Sequence, residues 1–85
     1  MAVRMLYFAW VRERVGCGEE LVEPPAGVTT VAQLVDWLAM RSDGHAQAFA
    51  DRGRLRAAVD QAFVPLDTAF GSAGEVAIFP PVTGG

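Results

Sequence analysis

TVAQLVDWLAMR, residues 30–41, is the stretch from which the rest of the chain is read. Thr30 and Gln33 stand at the spacing of a capping box, in which each side chain satisfies a backbone N–H at the helix start. Val31, Leu34, Val35 and Leu38 then recur at i, i+3, i+4 and i+7. That places them on one face and predicts a helix over 30–41 that buries it. Arg41 sits where the helix dipole favours a cation. A helix with one apolar stripe needs a surface to cover, and the flanking segments supply strands.

On the N-terminal side, residues 3–10 (VRMLYFAW) are rich in β-formers and predict a strand. Residues 11–15 (VRERV) are too short for an independent helix but long enough for a turn or two before Gly16-Cys17-Gly18. Residues 19–23 (EELVE) predict a second strand, stopped by Pro24-Pro25. On the C-terminal side, residues 45–51 predict a short second helix broken at Gly53. Residues 55–60 and 62–64 predict two short strands joined tightly around Asp60-Gln61. Residues 68–74 are a loop of small residues, and residues 75–79 (EVAIF) alternate as a last strand. The order strand, strand, helix, strand, strand, strand predicts an α+β domain, a mixed sheet of about five strands with the helix packed across one face. With the first and last strands parallel and central, this is a β-grasp. The expected division is a domain over 1–79 and a flexible Gly-Gly tail over 80–85.

The totals exclude several classes of function. At 85 residues there is room for one core. A net charge of −3 disfavours nucleic acid, which requires clustered cations. The single cysteine rules out an internal disulfide framework and fits a reducing cytoplasm. No apolar run approaches the ~18–20 residues that span a bilayer, so no membrane partner is expected. His45 has no Cys or His companions at metal spacing and is expected to be solvated near a helix start, so no metal site is predicted. Cys17, between two glycines, is an alternative sulfur-carrying thiol but has nothing around it to make a nucleophile site. Trp10 and Trp37 read as packing residues, and Arg12, Glu13 and Arg14 as a solvated face. Without a phosphate loop, catalytic triad or carboxylate pair, catalysis by this chain alone is not expected.

The remaining feature is FPPVTGG, residues 79–85. Pro80 and Pro81 favour an extended conformation that carries the chain away from the sheet. The last four residues can span roughly 13 Å at ~3.3 Å each. Gly84 and Gly85 lack Cβ atoms and fit a channel too narrow for other dipeptides. A terminal carboxylate with a pKa of about 3.3–3.7 is ionised and a poor electrophile, so it reacts only after an enzyme gives it a leaving group. Strand alternation puts Glu75 and Phe79 on one face of the last strand, Arg4, Leu6 and Phe8 on one face of the first, and Gln61 and Phe63 together. The charged or polar member marks each face as exposed. Phe8, Phe63 and Phe79, with Pro80, Pro81, Val82 and Thr83, are therefore the expected partner-binding residues.

LYFAWVRERVG (6–16), TTVAQLVDWL (29–38), AAVDQ (57–61) and, most specifically, EVAIFPPVTGG (75–85) resemble the small, sulfur-carrying subunits of molybdopterin synthase, relatives of ubiquitin. That family usually has Asn where this chain has Asp60, a difference at the hairpin turn. The resemblance implies a β-grasp and a reaction cycle. An E1-like enzyme, using ATP, adenylates Gly85; a sulfur donor protein converts it to a thiocarboxylate. The tail then enters the large synthase subunit, where sulfur passes to cyclic pyranopterin monophosphate to build the dithiolene of molybdopterin. The implied assembly is a cytoplasmic heterotetramer in which this chain, with no permanently bound cofactor, is co-substrate and the large subunit supplies the catalytic side chains. Gly85, with Gly84, is the implied reactive end. A ubiquitin-like modifier conjugated to lysines, a carrier for thiamine (thiazole) synthesis or tRNA thiolation, and a plain interaction domain with a frayed end are the other readings. The Pro-Pro strut before the glycines favours the molybdopterin carrier over the thiazole carrier.

Overall fold

A computed structural model describes residues 2–81. Strand β1 (Val3–Tyr7) is followed by helix α1 (Ala9–Val15), strand β2 (Glu19–Val22), helix α2 (Val31–Leu38) and helix α3 (Asp43–Ala48). A 3₁₀ turn (Arg52–Arg54) then leads to β3 (Arg56–Val59), β4 (Ala62–Val64) and β5 (Glu75–Phe79). The sheet order is β2-β1-β5-β3-β4. β1 and β5 pair parallel at its centre, and the other pairings are antiparallel. This is the expected ubiquitin-like β-grasp.

The core lies between one face of the sheet and α2. Val3, Met5 and Tyr7 of β1, Val76 and Ile78 of β5, and Ala57 of β3 meet Val31, Leu34, Val35 and Leu38, the stripe seen in the sequence. The capping box forms as expected, with Gln33 N–H donating to Thr30 Oγ1 at 3.2 Å and Thr30 N–H to Gln33 Oε1 at 3.1 Å. The loop after β4 completes the helix start. Val31 and Ala32 donate to the carbonyls of Thr68 and Leu66, satisfying N–H groups that no helix can pair internally. The same loop drives Phe70 into the core. The helix ends at Leu38 rather than at residue 41. Met40 and Arg41 donate to the carbonyls of Trp37 and Leu38, three residues back, so the last turn tightens instead of continuing.

The predicted strand over 3–10 breaks at Tyr7. Phe8 is extended and caps α1, Ala9 turns at φ 54°, and Val11 and Arg12 donate to the Phe8 carbonyl. The helix stops at Gly16, whose φ of 101° suits glycine, with its N–H on the Arg12 carbonyl. The helix predicted over 45–51 starts earlier, capped by Ser42, and Gly53 lies inside the 3₁₀ turn rather than ending α3. Gly44 lets α3 approach α1, since a Cβ there would collide with the Arg14 carbonyl.

Asp60 and Gln61, at φ 47° and 73°, make the two-residue hairpin turn with both centres left-handed. The Asp60 carboxylate also accepts the Glu75 N–H at 3.1 Å, and the Asp60 N–H donates to the Glu75 carbonyl at 2.9 Å. Asp60 thus clamps the start of β5. Asp60→Ala is expected to lower unfolding free energy by about 1–2 kcal/mol, by losing this bond and a residue tolerant of the left-handed region. Asp60→Asn, which keeps an acceptor and that tolerance, should stay within ~0.5 kcal/mol in urea denaturation.

Candidate functional site

The sheet face turned away from α2 carries a groove of about 690 Å³. Pairing places its residues. Leu6 stands opposite Ala77, Ala77 opposite Ala58, and Ala58 opposite Phe63, so one row crosses four strands on one face. Ala58 and Ala77 form the floor. Leu6, Phe8, Phe63 and Phe79 form the walls, and Pro80 and Pro81 line the exit. The Phe63 and Phe79 rings lie 5.5 Å apart, tilted by 45°. Phe63 is 79% exposed and Phe8 50%, so much of the apolar area of both rings stands in water, where burying it is favourable.

Five residues expected at a partner surface, Phe8, Phe63, Phe79, Pro80 and Pro81, therefore line one groove. Val82, Thr83, Gly84 and Gly85 lie outside the described residues. Sequence reasoning missed the floor. Ala58 and Ala77 are 5% and 7% exposed although they face away from the helix, because the aromatic walls shield them. Two alanines on the open side of central strands are the signal that was available.

The buried polar residues make a second cluster beneath the other face. His45 is not solvated; it is 7% exposed, with Nε2 2.7 Å from Glu20 Oε2 and Nδ1 2.7 Å from Ser42 Oγ. The Tyr7 hydroxyl donates to the same Glu20 oxygen at 2.7 Å, and Arg41 stands 4.0 Å from Oε1. The correction has a physical cause, since His45 is carried inward by α3 onto a strand residue 25 positions away in sequence. Ser-His-Glu contact invites comparison with a hydrolytic relay, but Ser42 Oγ already caps α3 by accepting the His45 N–H. The cluster ties β1 and β2 to α3.

Burial pushes the Glu20 carboxyl up, but hydrogen bonds from His45 and Tyr7, with the nearby charges, outweigh it and hold the group below its ordinary value of 4.5. The Tyr7 phenol is pushed up, first by burial and then by Glu20. Burial also raises the Cys17 thiol, which opposes the thiolate that a sulfur-carrying cysteine needs. Trp10 and Trp37 pack against the core as expected, with the Arg14 and Arg54 guanidiniums 4.4 and 5.2 Å from the Trp10 ring centroid. Among the described residues no group of three His, Cys, Asp or Glu side chains is arranged to hold a metal, and no helix is long and apolar enough to cross a membrane.

The fold and groove define a class, ubiquitin-like proteins whose last strand ends beside an apolar groove walled by aromatic residues. The model of the ThiS family matches residues 5–85. The molybdopterin synthase sulfur carrier subunit of Escherichia coli (strain K12) is 45% identical over 83 residues, which cover 98% of this chain and 99% of that protein. A Pyrococcus furiosus structure provisionally described as molybdopterin converting factor subunit 1 matches with a TM-score of 0.74 at 26% identity, covering 96% of this chain and 99% of that one. A chain from the complex of subunits 1 and 2 of the Helicobacter pylori 26695 molybdopterin-converting factor matches over the full length of both, with a TM-score of 0.63 at 19% identity, a likeness of fold. The chain belongs to the ThiS family. Its role is that of a sulfur carrier in molybdenum cofactor biosynthesis.

Because Glu20 is held ionised more readily in the folded protein than in the unfolded chain, its contribution is complete above about pH 4.5 and is lost as pH falls through the lower folded value. Unfolding free energy measured in urea should therefore decline below about pH 4.5. Glu20→Gln should flatten that decline and cost about 1–3 kcal/mol at neutral pH, where Tyr7 and His45 lose a charged acceptor.

Proposed function

We propose that the working atom is the carboxyl carbon of Gly85 and that the groove beside Pro80 and Pro81 is the docking surface that aims it. The observation that carries this reading is the placement of Phe8, Phe63 and Phe79 around the point where β5 ends, so that a partner covering the groove also receives the tail. An E1-like enzyme adenylates the Gly85 carboxylate: a carboxylate oxygen attacks the α-phosphorus of ATP and pyrophosphate leaves. The terminal sulfur of a persulfide on a donor protein attacks the acyl carbon and AMP leaves, giving an acyl disulfide; a thiol then attacks the donor's sulfur, so that the S–S bond breaks, a disulfide forms on the donor side and the sulfur left on the acyl carbon is the thiocarboxylate. The sulfur then passes to cyclic pyranopterin monophosphate inside the large subunit of a heterotetrameric synthase. Gly84 and Gly85 suit that passage because neither carries a side chain. ATP belongs to the activating enzyme, this chain holds no permanent cofactor, and the cycle takes place in the cytoplasm.

Buried aromatic residues dominate the energetics of docking surfaces. Phe63→Ser is expected to weaken binding to the large subunit by about tenfold or more, with a stability change within ~0.5 kcal/mol because Phe63 is 79% exposed in the free chain. Calorimetric titration and thermal unfolding of the same variant separate the two effects.

Deleting Gly85, or adding one residue after it, should abolish thiocarboxylate formation by the adenylating enzyme and sulfur donor while leaving the unfolding transition unchanged. Intact mass spectrometry reads the thiocarboxylate directly. Activity retained by the deletion would show that the tail is not the reactive element. Lysine-linked adducts on other proteins would support the modifier instead.

A further inference from the structure

The two ends of the groove carry opposite charge, and the strand register makes that polarity symmetric about one row. Leu6, Ala77 and Ala58 are register neighbours on β1, β5 and β3. Two residues to either side of them stand Arg4 and Phe8, Glu75 and Phe79, and Arg56 and Asp60. Because β1 and β5 are parallel and β3 runs against them, Phe8, Phe79 and Arg56 share one end, and Arg4, Glu75 and Asp60 share the other. Alternation turns Arg56 to the same face as Ala58, and Glu75 to the same face as Ala77. Arg54, exposed on the 3₁₀ turn before β3, adds a second guanidinium to the first end. At the second end Arg4 is already engaged by Glu19 at 3.8 Å, which leaves Glu75 and the exposed Asp60 as net acid. Among the described residues Arg56, Asp60 and Glu75 stand in no ion pair.

We propose that a second copy of this chain covers the groove, the two sheets face to face about a two-fold axis along the Leu6–Ala77–Ala58 row. Such an axis reverses the strands of one copy over those of the other. Arg56 then stands over Asp60 of the second copy, Phe79 over Glu75 and Phe8 over Arg4, and each pairing occurs twice because the contact is isologous. Phe63 lies in the same row, opposite Ala58, and meets its own counterpart. Sheets stack about 10 Å apart, a gap that arginine and aspartate side chains bridge from opposite sides. A partner of one charge answers only one end of this groove, whereas a second copy answers both. Each copy carries a net charge of −3, but a Debye length of ~8 Å at physiological salt screens distant repulsion more than the opposed pairs. The exposed rings of Phe8 and Phe63 leave water in the same step. The dimer rests on the docking-surface reading above only in its consequence: it closes the groove to the large subunit until that partner displaces the second copy.

Sedimentation equilibrium of the full chain, taken up to about 1 mM at physiological salt, should show a monomer–dimer equilibrium. Arg56→Glu sets two pairs of like charges face to face and should raise the dissociation constant at least about tenfold. Phe63→Ser should weaken the dimer as well, by removing apolar contact on the axis. Arg56 and Asp60 lie about 13 Å apart along one chain, too far to pair within it, so coupling between them reports contact between copies. In a double-mutant cycle Arg56→Gln and Asp60→Asn should each weaken self-association about threefold, and the doubly substituted chain should be no weaker than either alone. A chain that stays monomeric throughout, as one whose groove takes only a different protein would, overturns the proposal. So does a dimer that Arg56→Glu and Phe63→Ser leave unchanged, which would use another surface, and so do losses that simply multiply in the cycle. Thiocarboxylate formation is scored separately: its failure counts against the carrier reading and leaves the dimer standing, while a monomeric chain leaves the carrier reading standing.

Discussion

The parallel pairing of β1 with β5 is the constraint on which the other features depend. Met5 beside Val76 and Tyr7 beside Ile78 project to one face, while Leu6 beside Ala77 projects to the other. A sheet has two faces and this chain has one long amphipathic helix, so only one face is covered. The covered face becomes the core. The opposite face, with the same strands and the same alternation, becomes the groove. A slip of one residue between β1 and β5 would exchange the two sets and destroy both together. The core and the groove are thus two sides of one register.

Within that frame, the groove exists because its floor is small and its walls are large. Ala58 and Ala77 on adjacent central strands leave a depression, and Phe8, Phe63 and Phe79 stand around it from β1's end, β4 and β5. Larger residues at the two alanines would fill the depression without disturbing the core behind it. The cost is apolar surface left in water, which a chain of this size tolerates because its core on the other face is closely packed by α2. The Glu20 cluster serves the opposite end of the architecture. It anchors the short α3, which is too brief to hold its place by helix propensity, through charge-assisted hydrogen bonds from His45 and Tyr7.

The parts of the fold legible in the sequence are those governed by local rules. The capping box at Thr30 and Gln33, the stripe of α2, the turn at Asp60-Gln61 and the bounds of β5 each depend on residues within a few positions of one another. Where local signals ran together, the reading slipped. Residues 5–10 are one apolar run, and nothing in it marks the turn at Ala9 that separates strand from helix. His45 carries no hint of its place because the partner that buries it, Glu20, lies on a strand remote in sequence.

By itself the sequence determined the alternation of each strand, the buried face of α2 and the restricted backbones of Pro80 and Pro81 beside the side-chain-free Gly84 and Gly85, since these follow from side-chain period, from φ restriction and from the absence of a Cβ. The tertiary structure decided which aromatics share a surface, and it leaves Phe79 half-buried rather than exposed as its strand face predicted. Phe8, Phe63 and Phe79 are far apart along the chain, and only strand order and register bring them to one groove. It also decided that His45 is buried against the half-buried Glu20. Both outcomes depend on pairings between distant segments, whose closure is governed by packing across the whole sheet rather than by any stretch of neighbouring residues.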